Sequence, residues 1–298
     1  MTYGFVASTN KVVAYGQTEI FKQEFKTAVA TIKPGHLVAK GADDSKAVLA
    51  NIGTKVPVGV CGYEQSFLGS DSYTSNRPAT KTTAFASGAE IPALAGTNFA
   101  LEYHLAAGFG ATKGDRLCTF TSGTVVPYVP ALGGYAVKIP FTKSTTEVDT
   151  GIEIPANVIC TGAFVEVTTN VAASTIDVGL LSTEASGDAD GFLDGVSCAN
   201  AGFIMPVNQA AAAASLTAGE LISTDIKSAD GTAIYFALPK EHVFDGTTKT
   251  VSYTTSDHAI VGNIYLVLNA VGMFDVGNIE KTVSSSTSDQ LVMAKVNI

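Results

Sequence analysis

Apolar and polar residues alternate with a period of two through much of the second half of the chain, and this pattern constrains the fold more than any other feature. The clearest run covers residues 163–171, and shorter runs cover residues 175–180, 233–238, 250–254 and 264–270. Successive side chains of a β-strand point to opposite faces of its sheet, so this period is typical of strands with one buried face. Clusters of Gly, Asp and Ser separate the runs and favour turns. The second half is therefore predicted to be an antiparallel β-sandwich of jelly-roll type.

The first half is also strand-rich, although its pattern is less regular. Residues 19–31 fit a helical stripe as well as a strand face, and the strand is favoured because no cap separates them from the next segment. Pro34 and Gly35 then predict a turn, after which extended structure resumes. Prolines in residues 56–60 and 125–130 place those segments at sheet edges or strand starts. We therefore expect an all-β chain with an N-terminal β-tulip or small barrel-like domain ahead of the sandwich.

Charge divides the chain unequally. Residues 1–146 carry 13 Lys/Arg and 9 Asp/Glu, whereas residues 147–298 carry 5 and 18. The step coincides with the polar segment 142–151, which is typical of a linker. A chance imbalance between two solvated surfaces is an alternative explanation of the step. The sequence thus predicts a first domain over residues 1–146, a sandwich over 147–274 and a C-terminal extension over 275–298.

Composition and charge argue against several classes of protein. The chain is 46% hydrophobic, which excludes general disorder, and only 15% charged, against about 25% in an average domain, which suggests a surface that lies against protein. The acidic second half argues against nucleic-acid binding. The most apolar run, residues 259–274, is shorter than the ~18 residues of a spanning helix, and the N-terminus lacks a signal-peptide pattern. Four widely spaced cysteines are predicted to be buried free thiols of a cytosolic protein.

The sequence carries no motif that marks catalysis. It has no nucleophile elbow, no Walker loop and no dinucleotide fingerprint, and its four histidines are isolated from one another and from the cysteines. We expect neither an enzyme nor a cofactor or metal site. One alternative stays open, because Asp188, Asp190 and Asp194 cluster around a glycine as calcium ligands do. Phe192 and Ala199 occupy two ligand positions of an EF-hand, so a solvated turn is the preferred interpretation.

Both termini contain apolar residues outside the regular strand pattern. In residues 1–16 these residues predict a contact with a partner protein, and the candidates are Tyr3, Phe5, Val6, Val12 and Tyr15. Near the other end, the Ser/Thr-rich residues 284–288 precede the apolar run 291–296. That order is typical of a flexible tether ending in an adhesive strand.

Two segments of the first half carry a resemblance to a known family. Residues 31–41 contain Ile-x-x-Gly-x-x-Val, and residues 55–60 contain Pro-x-Gly-Val. This arrangement resembles the β-tulip domain of the capsid decoration, or cement, proteins that stabilise the heads of tailed bacteriophages. The region from residues 149–156 through 262–268 is similar to β-sandwich domains that recur in phage structural proteins. The resemblance implies a structural virion protein, assembled in the host cytoplasm and bound as a homotrimer to the major capsid protein lattice on the capsid exterior, without nucleic-acid or membrane partners.

The sequence leaves two alternatives to a decoration protein. A capsid head fibre or adhesin with a glycan-binding β-sandwich predicts exposed aromatic residues on one sandwich face. An enzyme predicts a pocket with convergent titratable groups, of which the sequence gives no sign. For the decoration protein, the charge step predicts that the basic first domain faces the capsid and the acidic second domain faces outward.

Overall fold

A computed structural model of the chain describes residues 13–16, 21–62, 81–131, 134–208, 216–227, 234–244, 246–256 and 259–298. The first eleven strands are β1 (Val13–Gly16), β2 (Phe21–Thr27), β3 (Leu37–Lys40), β4 (Lys46–Leu49), β5 (Pro57–Cys61), β6 (Glu90–Ala95), β7 (Thr97–Leu105), β8 (Arg116–Thr119), β9 (Val125–Ala131), β10 (Gly134–Thr142) and β11 (Val148–Ile154). The others are β12 (Val158–Thr169), β13 (Thr175–Leu180), β14 (Leu193–Ser197), β15 (Gly202–Ile204), β16 (Ser223–Lys227), β17 (Ile234–Pro239), β18 (His242–Phe244), β19 (Lys249–Thr255), β20 (Val261–Asn269), β21 (Asp275–Ile279) and β22 (Gln290–Asn297). The described residues contain one helical element, a 3-10 turn at Thr121–Gly123. The all-β prediction is confirmed, and each alternating run of the second half overlaps a strand.

The chain forms two compact units. One comprises Met1–Pro127 together with Val271–Ile298, and the other comprises Tyr128–Ala270. All four cysteines are buried free thiols, as the sequence predicts. Among the described residues no helix is long and apolar enough to cross a membrane.

The first unit contains a small closed barrel, which confirms the predicted N-terminal barrel. Its strands follow the order β2-β4-β3-β5-β6. The ambiguous segment 19–31 is a strand where it enters the barrel, because β2 pairs with β6 from Phe21 to Lys26. Apolar side chains fill the interior, including Phe25, Ile32, Val38, Cys61, Phe85 and Ile91.

The two segments that carry the family resemblance supply strands β3 and β5 of this barrel. Pro57 opens β5, where a strand can accommodate its missing N–H, and this confirms the predicted strand start. Gly59 faces the backbone of β6, since a Cβ atom there would lie 2.8 Å from the carbonyl oxygen of Leu94. The glycine of this segment therefore permits the close approach of β5 and β6 that the register Val60 to Leu94 requires.

A sheet accompanies the barrel in the first unit, with the order β1-β7-β22-β21-β8. The predicted C-terminal extension lies in this sheet, because β22 pairs with β7 on one side and with β21 on the other. Val292, Ala294 and Val296 alternate as buried residues along β22. Their period of two, like that of the second half, is explained by a strand with one buried face.

The second unit is an antiparallel β-sandwich, as the sequence predicts. One sheet has the order β9-β10-β20-β12-β15, and the other has the order β11-β19-β13-β14, while β16 and β17 form a separate pair. Ile264, Leu266 and Leu268 of β20 are buried on alternate positions. Phe141 of β10 packs edge-to-face on Tyr253 of β19, with 6.1 Å between ring centroids, so the two sheets share a core.

The polar segment predicted to be a linker lies within this second unit. The main-chain N–H of Ser144 donates to Thr255 Oγ1 at 2.8 Å, and the main-chain N–H of Thr255 donates to the Ser144 carbonyl oxygen at 2.7 Å. Residues 128–146, assigned by the sequence to the first domain, thereby extend the sandwich through β10. The unit Tyr128–Ala270 carries 5 Lys/Arg and 15 Asp/Glu, and the rest of the chain carries 13 and 12. The charge contrast persists, but the first unit is nearly neutral rather than basic.

Candidate functional site

The predicted partner-contact residues fall mostly outside the described part of the chain. Tyr3, Phe5, Val6 and Val12 lie outside it. Tyr15 lies in β1, an edge strand of the first-unit sheet, where it pairs with Ala100 of β7. Their role in binding a partner stays a prediction.

The turn that carries Pro34 and Gly35 forms as predicted and positions a cluster of polar side chains. The main-chain N–H of His36 donates to the Lys33 carbonyl oxygen at 3.1 Å, and Gly35 has a φ of 88°. Proline at the second position and glycine with positive φ at the third are the residues that a type II turn requires. A Cβ atom at Gly35 would lie 2.9 Å from the Glu102 carbonyl oxygen, so glycine also lets the turn dock on β7. The turn thus directs Lys33 and His36 toward the first-unit sheet.

Lys33, His36, His104 and Asp289 meet at this place, and we call them the His36 cluster. His104 lies near the end of β7, and Asp289 directly precedes β22. Asp289 Oδ2 is 2.7 Å from His104 Nδ1, 3.7 Å from Lys33 Nζ and 4.0 Å from His36 Nε2. The two imidazole rings pack edge-to-face with centroids 4.2 Å apart. One carboxylate therefore serves three basic side chains.

The hydrogen-bond partners of the two imidazoles differ. His36 Nδ1 accepts the main-chain N–H of Lys33 at 3.2 Å, which places the proton of the neutral ring on Nε2. Both nitrogens of His104 face acceptors, since Nε2 is 3.0 Å from the Pro34 carbonyl oxygen and Nδ1 faces Asp289. A proton must therefore lie between His104 Nδ1 and Asp289 Oδ2 while that contact persists.

Burial dominates the electrostatics of the cluster. Burial first, and then the charges of His104 and Lys33, lower the pKa of His36 to about 3, although Asp289 opposes the shift. Burial also lowers the pKa of His104, against the opposing influence of Asp289 and the Pro34 hydrogen bond. For Asp289, burial would raise the pKa, but His104 and Lys33 bring it below its ordinary value. At neutral pH the cluster holds an ionised Asp289 and a neutral His36.

The spacing of His36, His104 and Asp289 meets one requirement of a metal site, because their candidate ligand atoms lie within 4.8 Å of one another. The hydrogen bonds do not fit a metal. Coordination by His36 Nε2 would need a proton on Nδ1, and that proton would point at the Lys33 N–H. Lys33 adds a positive charge 3.7 Å from the only carboxylate of the group. The arrangement is suited to cross-linking a turn to two strands.

Sequence reasoning missed this cluster because its members are far apart in the chain. His104 lies 70 residues from Pro34 and 185 residues from Asp289. The four histidines are isolated from one another along the sequence. Asp289 comes to lie beside His104 only because β22 pairs with β7. The one local signal near the cluster was the Pro34–Gly35 pair. It predicts a turn but does not predict which residues the turn contacts.

Five carboxylates of the second unit interact electrostatically near the turn that the sequence analysis considered as a possible calcium loop. They are Asp177, Asp188, Asp190, Asp194 and Glu220. Burial, followed by a hydrogen bond and repulsion from Asp190, raises the pKa of Asp188 to about 6. Phe192, at the third ligand position, is buried and packs near Phe244 with 6.2 Å between centroids. Acidic side chains alone do not define a calcium site, so metal independence stays a prediction.

The raised pKa of Asp188 predicts a stabilising substitution. Above pH 4 the unfolded chain ionises Asp188 while the folded chain still holds the proton, so this group's contribution to stability falls as pH rises through about 6. Asp188→Asn should raise the free energy of unfolding at pH 7 by about 1 kcal/mol, after discounting for solvent screening, and should change it little at pH 4. Chemical denaturation at both pH values measures this. Asp44→Asn, which alters a highly exposed carboxylate, is the matched control.

A calcium titration of the same proteins separates repulsion from ion binding. A melting temperature that rises with calcium in the native chain, but not after Asp188, Asp190 and Asp194 are all changed to Asn, would contradict the predicted metal independence. Equal stability of the Asp188→Asn variant and the native chain at pH 7 would contradict the repulsion argument.

A third feature is an aromatic group on the outer face of the sheet that contains β12 and β20. Phe164 stacks on Tyr265 with centroids 4.9 Å apart, and Phe203 of the edge strand β15 lies 5.9 Å from Phe164 while 62% exposed. Glu166 Oε2 accepts hydrogen bonds from Tyr265 OH at 2.8 Å and from Asn263 Nδ2 at 2.9 Å. An exposed ring thus lies beside a carboxylate and an amide.

Comparisons of the chain with protein-family models, with curated proteins and with solved structures found no match.

Proposed function

We propose that the chain is a structural virion protein that binds the outside of a tailed-phage capsid and stabilises it. The main support for the proposal is that the two segments that carry the resemblance, residues 31–41 and 55–60, supply strands β3 and β5 of the barrel. Their Pro34, Gly35 and Gly59 form the tight turn and the close strand approach described above. Gly35 and Gly59, two glycines of the resemblance pattern, thus lie where the close approach of β7 and of β6 leaves no room for a Cβ atom. The proposed role requires no catalysis and no cofactor.

The proposed partner is the major capsid protein lattice, bound by a homotrimer. A chain with few charges can bury a large part of its surface against other proteins. The first unit, with 13 Lys/Arg against 12 Asp/Glu, would face the shell, and the second unit, with 5 against 15, would face outward. An acidic shell would repel the second unit over about a Debye length of ~8 Å. Trimerisation would strengthen a weak single-copy contact through avidity.

Binding to assembled, undecorated capsids tests the proposal. Changing Tyr3, Phe5 and Val6 together to Ser should weaken co-sedimentation with capsids more than tenfold, because apolar anchors supply most of the affinity of such contacts. The matched control changes three exposed apolar residues of the second unit, Phe203, Met205 and Val243, to Ser and should bind normally. Failure of the native chain to bind any undecorated capsid of its own phage would overturn the proposal. Binding by the triple Ser variant as strong as that of the native chain would overturn the assignment of Tyr3, Phe5 and Val6 as capsid-contact residues.

The aromatic group around Phe203 favours a second candidate, a head fibre or adhesin whose sandwich binds a glycan. An exposed aromatic ring beside hydrogen-bonding groups suits the apolar face and hydroxyl groups of a neutral sugar. The net acidic surface of the second unit disfavours anionic glycans. Binding of a neutral glycan on an array, lost in Phe203→Ser, would support this candidate.

A further inference from the structure

The hydrogen bond between Lys33 N–H and His36 Nδ1 makes the turn sensitive to acid. A protonated imidazole carries a proton on both nitrogens, so Nδ1 can no longer accept. Two N–H donors would then face each other across 3.2 Å inside a turn that is almost wholly buried at His36. Protonation of His36 therefore breaks a contact of the turn and adds a buried positive charge.

The surroundings of His36 make the added charge hard to balance. Three groups surround the ring: the Lys33 ammonium group of the turn, the His104 ring of β7 and the carboxylate of Asp289, which precedes β22. Asp289 is the only carboxylate among them. Cys61 of β5 contacts the turn through its main chain, and burial raises the pKa of its thiol, so it supplies no negative charge. The 3-10 turn, whose Gly123 lies against His36 Cβ, has no titratable side chain. The next carboxylate along β7, Glu102, is paired with Lys81 at 2.7 Å.

The turn holds neighbouring elements through its main chain. Gly35 N–H donates to the Cys61 carbonyl oxygen at 2.7 Å, and Cys61 N–H donates to the His36 carbonyl oxygen at 2.8 Å. His104 N–H donates to the Gly35 carbonyl oxygen at 3.2 Å. A change in the shape of the turn is therefore transmitted to the end of β5, to β7 and, through Asp289, to the start of β22.

We propose that the His36 cluster is an acid-sensitive latch, in which protonation of His36 opens the Lys33–His36 turn and loosens its junction with β7 and β22. The latch is closed at neutral pH, when His36 is neutral and accepts the Lys33 N–H. His104 does not oppose closure in acid, because both of its nitrogens already face acceptors. Opening is reversible, since it consists of proton uptake and the loss of hydrogen bonds.

Hydrogen–deuterium exchange of the full chain tests the latch. The measured quantity is the protection factor, which corrects for the intrinsic pH dependence of exchange, in peptides covering the turn, the end of β7 and the start of β22. With a pKa of 6.5 for an open His36 and about 3 for the closed one, protection should fall by up to about 100-fold between pH 7 and pH 4.5. The expected result is a loss of at least tenfold, confined to these peptides and reversed on return to pH 7.

His36→Asn separates the latch from general acid destabilisation. An Asn side chain places an oxygen near the position of Nδ1 and can accept the Lys33 N–H, but it does not titrate. Protection in this variant should change less than twofold over the same range, whereas His242→Asn, in the second unit, should behave as the native chain does. A tenfold loss in His36→Asn would overturn the proposal, as would unchanged protection in the native chain.

A ring titration of the native chain gives a test that does not depend on folding of a variant. In NMR spectra the His36 ring should stay neutral and protonated at Nε2 for as long as the turn is mostly closed, even while the protection factor of the turn falls. Charging of the ring near pH 6.5 with protection of the turn intact would overturn the latch.

Discussion

Deletion of residues 290–298, which removes β22, should unfold the first unit. β22 pairs with β7 from Gln290–Leu105 to Asn297–Thr97 and with β21 on its other side. Its loss exposes two strand edges and removes the buried residues Val292, Ala294 and Val296. Two buried valines and a row of main-chain hydrogen bonds contribute roughly 5 kcal/mol or more, comparable with the whole stability of a domain. We expect loss of the first-unit melting transition in calorimetry and insoluble accumulation.

Single substitutions in β22 provide the matched comparison. Val292→Asp places a charge at a position that is 2% exposed and should destabilise the first unit by at least 3 kcal/mol. Lys295→Asp introduces the same side chain at an exposed position of the same strand and should change the free energy of unfolding by less than 1 kcal/mol. A deletion variant that melts like the native chain would show instead that the first unit does not need β22, as expected if this segment were the adhesive end of the tether predicted from the sequence.

The C-terminal segment, which forms β22, shows what the sequence could and could not predict. The period of two in β12, β19 and β20 identified those strands because it depends on local side-chain burial. The run in β22 has the same period, but the serines before it pointed to a tether. Its partner β7 lies 185 residues earlier at the Gln290–Leu105 pair and 200 residues earlier at the Asn297–Thr97 pair, and no local sequence pattern identifies a partner at that distance.

The His36 cluster escaped sequence reasoning for the same physical reason. Motif spacing identifies sites whose residues share one element or one loop. His36, His104 and Asp289 come from a turn, a strand and the residue before another strand, and they meet only once the first-unit sheet has formed. The Pro34–Gly35 turn was predictable because its signal is confined to adjacent residues.

The charge step and the boundary between the two compact units fall at different residues, and the reason is again physical. Charge reflects which surfaces are solvated, whereas a compact unit is defined by which strands pair. Lys138 and Lys143 were counted with the first half, yet Lys138 lies in β10, and Lys143 follows that strand within Tyr128–Ala270. The charge step therefore falls about twenty residues beyond the point where the chain enters the second unit.

A fragment of residues 128–270 should fold alone, whereas a fragment of residues 147–274 should not. The shorter fragment lacks β10, which pairs with β20 at eight successive positions from Tyr135–Leu268 to Thr142–Val261. It also lacks Val137, Ile139 and Phe141, each at most 1% exposed. Burial of three such side chains contributes roughly 6 kcal/mol, within the 5–15 kcal/mol that stabilises a typical domain. Circular dichroism and urea denaturation should show a cooperative transition only for residues 128–270.

Two substitutions within the longer fragment separate the role of β10 from an effect of length. Phe141→Ser removes the ring that packs on Tyr253 and should destabilise the fragment by about 3–5 kcal/mol. Lys143→Ser changes an exposed residue just after β10 and should alter the free energy of unfolding by less than about 0.5 kcal/mol. If residues 147–274 unfolded cooperatively with the stability of residues 128–270, β10 would be dispensable and the charge step near residue 146 would mark the domain boundary. If only the longer fragment folds, the sandwich begins with the strands before that step, because the central strand β20 requires β10 as its neighbour.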